Sequence, residues 1–226
     1  MENSNMTLIL RAAAAALVVA ASTTAASADC TREVLQSFTR QSNTDMVRKE
    51  MNLIGETGPF TMTIDYVKPD RMRQVVKTLI APDKPTETIL VGTDAWSRTG
   101  TDAWQKLDKS TTDQIVSFFK STFAETPANV GSFECLGAET IEGQKVRAFK
   151  GLDEPKQKTP EQIEAEKKGE KPAEAPKNEA VRVVYLDVGT GLPARIIFAR
   201  EGMLDKPIFK EVYSYPTDIK IEKPAG

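Results

Sequence analysis

Between residues 60 and 107 the chain alternates large apolar and polar side chains and is interrupted by tight turns, a pattern that an antiparallel meander satisfies. Phe60-Thr-Met-Thr-Ile-Asp-Tyr-Val67 puts Phe60, Met62, Ile64 and Tyr66 on one parity and Thr61, Thr63 and Asp65 on the other. That period of two turns one face of a strand onto a core. Lys68-Pro69-Asp70-Arg71 then reverses the chain, because proline presets φ at the second position of a turn. Residues 72–79, 86–91, 95–99 and 103–107 read as four further strands, with 92–94 and 99–102 as hairpin connections. Connections this short permit only antiparallel neighbours.

The first 28 residues read differently. Arg11 precedes an apolar, alanine-rich run over 12–21, and Ala26-Ser27-Ala28 offers small residues at a processing site before Asp29. This is the layout of a secretory signal cleaved after Ala28. The run is too short for a membrane anchor, which needs about 20 apolar residues. Cys30 does not follow the cleavage point directly, as the lipid-bearing cysteine of a bacterial lipoprotein does. The expectation is a signal peptide at 1–28, then a mature, periplasmic and non-inserted domain at 29–226.

Cys30 and Cys135 are the two cysteines of the chain. In an exported protein an even count favours a disulfide over two free thiols. Such a bridge would tie the N-terminal helix to the sheet. That helix is expected to begin near Cys30, with Val34, Leu35 and Phe38 at helical spacing and the polar residues 41–45 ending it. Residues 46–54 fit a strand or a continuation equally. A second helix follows Ser110. Thr111 and Gln114 form an approximate capping box, Ile115, Val116, Phe118, Phe119 and Phe123 make one broad apolar stripe, and Pro127 marks the end. Such a stripe is ordinary core, or the lid over a curved sheet.

Strands resume at 131–140 and 145–150. From 152 to 180 the sequence is almost all Lys, Glu, Pro, Ala and Gln, which cannot bury enough apolar surface to offset its ordering entropy. It is expected to be a mobile, solvated insertion between paired strands. Strands over 181–187, 194–199, 208–215 and 219–221 complete a count of about ten. Asp187 is placed to accept amide hydrogens of the turn that follows it. A single antiparallel sheet this wide must curl.

The inventory excludes much chemistry. The chain has no histidine, which removes His-dependent triads, Cys-His pairs and the usual zinc sites. Asp65, Asp70, Asp187 and Glu211 lie beside turns or alternate outward, where carboxylates are ordinarily solvated. No glycine-rich phosphate loop joins a strand to a helix. A formal net charge of -2 with interspersed signs leaves no stripe for nucleic acid. The chain reads as a binding module with no cofactor.

Several motifs, taken together, resemble one family. Thr88-Ile-Leu-Val-Gly-Thr-Asp-Ala-Trp96, Ala103-Trp104 with Lys106, Cys135-Leu-Gly-Ala-Glu-Thr-Ile-Glu-Gly143, Tyr185-Leu-Asp187, Thr190-Gly-Leu-Pro-Ala-Arg195 and the stretch 215–224 occur in the order seen in the LolA/LolB-like superfamily of periplasmic lipoprotein carriers. The resemblance implies a mainly β fold with helices: a strongly curved antiparallel sheet, an incomplete barrel, whose concave face is plugged by helices. It also implies that acyl chains are held between sheet and helices, so the partner would be a lipid or acylated lipoprotein. Carriers of this kind hold their lid with a buried arginine, a role for which the resemblance assigns no residue here. The 152–180 insertion departs from the short connection expected at that point.

Alternation nominates the lining of such a cavity: Met62, Ile64, Tyr66, Met72, Val76, Leu90 and Trp96 on strands, with Phe118, Phe119 and Phe123 on the second helix. Methionine and aromatic side chains suit flexible, irregular ligands. The same residues can equally close on one another as a core. Whether Trp96 faces Trp104 depends on the length of the loop between them, since a slip of one residue flips every side chain. A carrier predicts an apolar cavity of several hundred Å3 under the second helix, in the usual range for ligand pockets. The alternative is an envelope interaction or stress-sensing protein with a filled core and an envelope protein as partner.

Overall fold

The computed structural model describes residues 22–55, 58–124, 127, 130–152 and 180–224. Eleven strands among them form one curved, open antiparallel sheet. They are β1 (Met46–Gly55), β2 (Gly58–Val67), β3 (Arg71–Thr78), β4 (Thr86–Val91), β5 (Asp94–Thr99), β6 (Gln105–Lys106), β7 (Ser132–Ile141), β8 (Gln144–Leu152), β9 (Ala180–Asp187), β10 (Pro193–Arg200) and β11 (Phe209–Ser214). The spatial order is β6-β5-β4-β3-β2-β1-β11-β10-β9-β8-β7. Residues 46–54, open to two readings in the sequence, belong to a strand, and β1 fills the centre of the sheet beside β11. Residues 219–221 are not a strand.

Register decides which residues share a face. One row runs Met62, Met51, Glu211, Ile196, Val184, Phe149, Cys135 across seven strands. Both helices pack on the face of this row. The helix α1 (Ser22–Ser42) lies on β7 and touches β9 and β10. Its Val34 packs among Phe133, Phe149, Val184 and Ile196. The helix α2 (Lys109–Phe119), continued by a π turn (Lys120–Ala124), covers Val47, Ile64, Tyr66, Met72 and Leu90.

The ends of the helices differ from the sequence reading. The described part of α1, Ser22–Ser42, runs through the expected processing point after Ala28, while residues 1–21 of the expected signal lie outside the described residues. At α2 the cap is Asp108, not Thr111. Its carboxylate accepts from the Thr111 amide at 3.0 Å and the Thr111 hydroxyl at 2.7 Å. A carboxylate at this position meets both the free amides and the positive end of the helix dipole, which a threonine hydroxyl cannot.

Cys30 and Cys135 are disulfide-bonded, with Cα atoms 5.5 Å apart across a separation of 105 residues. The bond staples α1 to β7, and the Phe133 amide donates to the Thr31 hydroxyl at 2.8 Å beside it. At the far end of α1, the Gln41 side-chain amide donates to the Tyr215 hydroxyl at 3.1 Å, which donates to the Pro193 carbonyl at 2.7 Å. Asp187 caps its turn as expected, accepting from the Thr190 amide at 2.7 Å. β8 and β9 pair side by side; of the insertion expected at 152–180, Leu152 and Ala180 belong to these strands and 153–179 lies outside the described residues.

The convex face has its own order. Arg48 pairs with Asp65 at 2.6 Å, and Glu87 is held between Arg73 at 2.5 Å and Arg98 at 2.7 Å. Asp65 therefore does face outward, but it is buried beneath its arginine instead of solvated. The C-terminal segment crosses this face, with Ile221 against Ile89 and Trp96, and Arg71 donating to the Ile221 carbonyl at 2.8 Å.

Candidate binding site between the helices and the sheet

Under α2 the space is filled. Tyr66 lies edge-on to Phe119 with centroids 4.6 Å apart and stacks on Phe123 at 5.1 Å. Ile64, Met72 and Leu90 pack around this trio, with Met62 against them. Val76 is opposite Met62 in register and half-buried. Eight of the ten nominated residues thus belong to the inward face or to the helical cover on it. Two do not. Trp96 stands opposite Ile89 and packs on the convex face with Trp104 and Ile221, because Ala95 takes the inward position opposite Leu90. Phe118 points to solvent with 48% exposure, whereas Phe119 is 2% exposed; an apolar stripe this broad exceeds the arc of helix that can touch the sheet.

On the helix-covered face, open space lies where α1 and the π turn approach each other. A cavity of about 180 Å3 is lined by the apolar Phe38, Phe123, Pro127 and Val130 together with Gln41, Ser42, Ser121, Thr122, Arg182 and Tyr213. It is smaller than the sequence reading anticipates and sits at the end of α2 instead of beneath it. For scale, a cavity of about 150 Å3 holds one benzene. It therefore has room for a headgroup or a few methylenes.

Tyr213, one of the cavity's lining residues, is tied to an ion pair behind it. Lys49 Nζ lies 2.7 Å from Glu211 Oε1, and the Tyr213 hydroxyl donates to Glu211 Oε2 at 2.5 Å. Burial, with the Glu211 charge beside it, holds the Tyr213 phenol well above the ordinary tyrosine value. Arg182 lies beside them, its guanidinium over the rings of Phe38 and Phe133 and donating to the Val130 carbonyl at 3.4 Å. Burial pulls its pKa below the usual arginine value, though a guanidinium remains charged at any physiological pH. Glu211, expected to alternate outward, points inward: it shares the register row of Met51 and Ile196. None of these residues was nominated from the sequence. The available signal was a charge placed on an apolar parity, Lys49 between Val47 and Met51, and Glu211 between Phe209 and Tyr213.

No protein-family model matches the sequence, and no curated protein matches it. Solved structures do. LprF from Mycobacterium bovis is similar with a TM-score of 0.54 at 13% identity, over 88% of this chain and 99% of that one. The lipoprotein LppX from Mycobacterium tuberculosis is similar with a TM-score of 0.50 at 13% identity, over 86% of this chain and 99% of that one. The chain has the LolA-like fold. At this identity the likeness is one of fold.

Among the described residues the LolA-like half-barrel also forms two further hollows. One of about 410 Å3 lies on the convex face over Tyr185, Ile197 and Leu204, with Glu139, Glu142, Arg195, Asp205 and Lys210 around it. The other, about 290 Å3, is a shallow apolar groove at one rim, between Leu53, Phe60, Leu79 and Ile208. Leu79 and the adjacent Ile80 are 69% and 78% exposed. No described helix is long and apolar enough to cross a membrane.

Proposed function

We propose that this chain is an exported, non-enzymatic carrier that holds the acyl part of a lipid or lipoprotein between the curved sheet and its helices. The supporting observation is the cavity between α1 and the π turn, whose lining combines apolar side chains with the Arg182 guanidinium. That combination suits an amphiphile. Each methylene buried there contributes about 0.8 kcal/mol. A whole acyl chain exceeds the present volume, so cargo entry requires the helices to part. α1 is fixed to β7 by the disulfide, whereas α2 is held by side-chain packing, with Phe119 and Phe123 as its anchors. α2 is therefore the element that yields, and residues 1–28 serve as the signal for export to the periplasm.

The test is native mass spectrometry of the mature protein purified from a periplasmic extract, with lipid analysis of the organic phase. A stoichiometric lipid or acyl-peptide adduct supports the carrier. A clean mass that stays clean after incubation with envelope lipids rejects it. A second reading, an envelope protein that binds a protein partner, draws on the filled packing under α2 and the exposed apolar rim at Leu79 and Ile80. It predicts the clean mass and the loss of a co-purifying protein from a Leu79→Ser, Ile80→Ser variant.

A further inference from the structure

We infer that the cavity takes the anionic headgroup of its cargo and that Arg182 is the counter-ion. The inference rests on the lipid-binding reading and adds to it the charge of the ligand. Arg182 comes from β9, opposite Phe198 in register, on the strand face that α1 covers. Its protein contacts are two aromatic rings, at 5.8 Å and 5.5 Å, and one long hydrogen bond to the Val130 carbonyl. Among the described residues no carboxylate forms a salt bridge with it. The carboxylate whose charge does reach it is Glu211, which is already engaged by Lys49 at 2.7 Å and by the Tyr213 hydroxyl at 2.5 Å.

Among the described residues, the inner face beside the cavity thus holds two cations, Lys49 and Arg182, and one anion, Glu211. A charge withdrawn even partly from water favours a partner, because desolvating an ion is costly. Arg182 is part-buried and lines the open volume itself, so an anion that enters that volume meets its guanidinium. A guanidinium presents parallel N–H donors that match a carboxylate or a phosphate. Phe123, Pro127 and Val130 would then cover the first methylenes. The shared chemistry is an oxyanion on an alkyl chain, and its two sources are a fatty-acid carboxylate and a phospholipid phosphate.

The experiment titrates the mature protein with decanoate, decyl phosphate, decanol and inorganic phosphate, and compares Arg182→Gln and Arg182→Lys with the parent after circular dichroism melts of each. Charge-assisted hydrogen bonds of this kind predict that an anionic amphiphile binds ~10-fold or more tightly than decanol. Arg182→Gln should bring the anion down to the level of decanol and leave decanol unchanged, with partial recovery in Arg182→Lys. The tighter of the two anions identifies the source. Equal binding of all three amphiphiles by the parent overturns the headgroup assignment and leaves the carrier standing. Inorganic phosphate binding as tightly as decyl phosphate overturns it too, since a free anion would then fill the site. Failure of every amphiphile to bind overturns the carrier reading together with the inference.

Discussion

Lys49 and Glu211 meet at 2.7 Å on the inner face of the sheet, with side-chain exposures of 10% and 12%. They come from strands that are neighbours in space and far apart in sequence. Removing Lys49 leaves Glu211 nearly buried with the Tyr213 hydroxyl but without its counter-charge, and breaking such a pair costs about 3–5 kcal/mol. Lys49→Met should therefore lower stability by about that amount in urea denaturation, and Lys49→Met with Glu211→Leu by clearly less. A double variant as unstable as the sum of its singles would mean that the pair does not interact.

Two adjacent phenylalanines should behave oppositely. Phe119→Asp puts a charge against Tyr66 and Met72 and is expected to cost at least about 3 kcal/mol. Phe118→Asp, at an exposed site, should stay within about 0.5 kcal/mol of the parent. Thermal melts of the two proteins separate these outcomes.

The Tyr66 hydroxyl is buried and has no hydrogen-bond partner among the described residues. Tyr66→Phe should accordingly stabilise the protein by about 1 kcal/mol, since an unsatisfied buried donor is a net cost. Burial, with Asp70 nearby, pushes the Tyr66 phenol from 10.0 up to about 12. The folded state thus favours the neutral phenol. This contribution is whole below pH 10 and is lost as pH rises to about 12. Stability against pH should fall less steeply through that window in Tyr66→Phe, as followed by denaturation at fixed alkaline pH values.

Reduction of the Cys30–Cys135 bond, or Cys30→Ala with Cys135→Ala, releases a loop with a separation of 105 residues. A loss of about 2–5 kcal/mol is expected, which corresponds to roughly 4–20 °C in Tm for a chain of this size. Calorimetry with and without reductant measures it. The effect should appear first as exposure of α1, the element the bond holds.

Both tryptophans lie on the convex face, Trp96 beneath Lys223 at 5.1 Å and Ile221, and Trp104 against Arg98 at 4.4 Å. Cargo bound on the inner face should therefore leave their emission unshifted. Truncation before Ile219 should shift it to the red by exposing Trp96. A ligand-induced shift in the full chain would place the cargo on the other face.

The meander was legible because alternation and turn chemistry agree over 60–107, and the register that follows from them places Met62, Ile64, Tyr66, Met72 and Leu90 together. The disulfide was legible from compartment and count. Three things were not. Trp96 carries the strongest apolar signal of its strand, yet Ala95 takes the inner position, because a tail nearly 130 residues away covers the outer one. The α2 stripe wraps too far round for every member to be buried, and composition cannot say that Phe118 is the residue left out. The charged cluster looked like noise in three alternating strands, since Lys49, Arg182 and Glu211 come together only through pairings that no local pattern specifies.

In the strand order, β1 and β11 are the neighbours that are not consecutive in the chain. Each half of the sheet, β1 to β6 and β7 to β11, can zip hairpin by hairpin from neighbouring residues, whereas their junction must wait for the last strand to arrive. Lys49 stands without its counter-charge for the whole of that interval. The final strand is thus a keystone: a chain cut short before residue 209 would keep most of its hairpins and still lack the Tyr213 side of its cavity, presenting to the cell's proteases two half-sheets and an orphaned lysine.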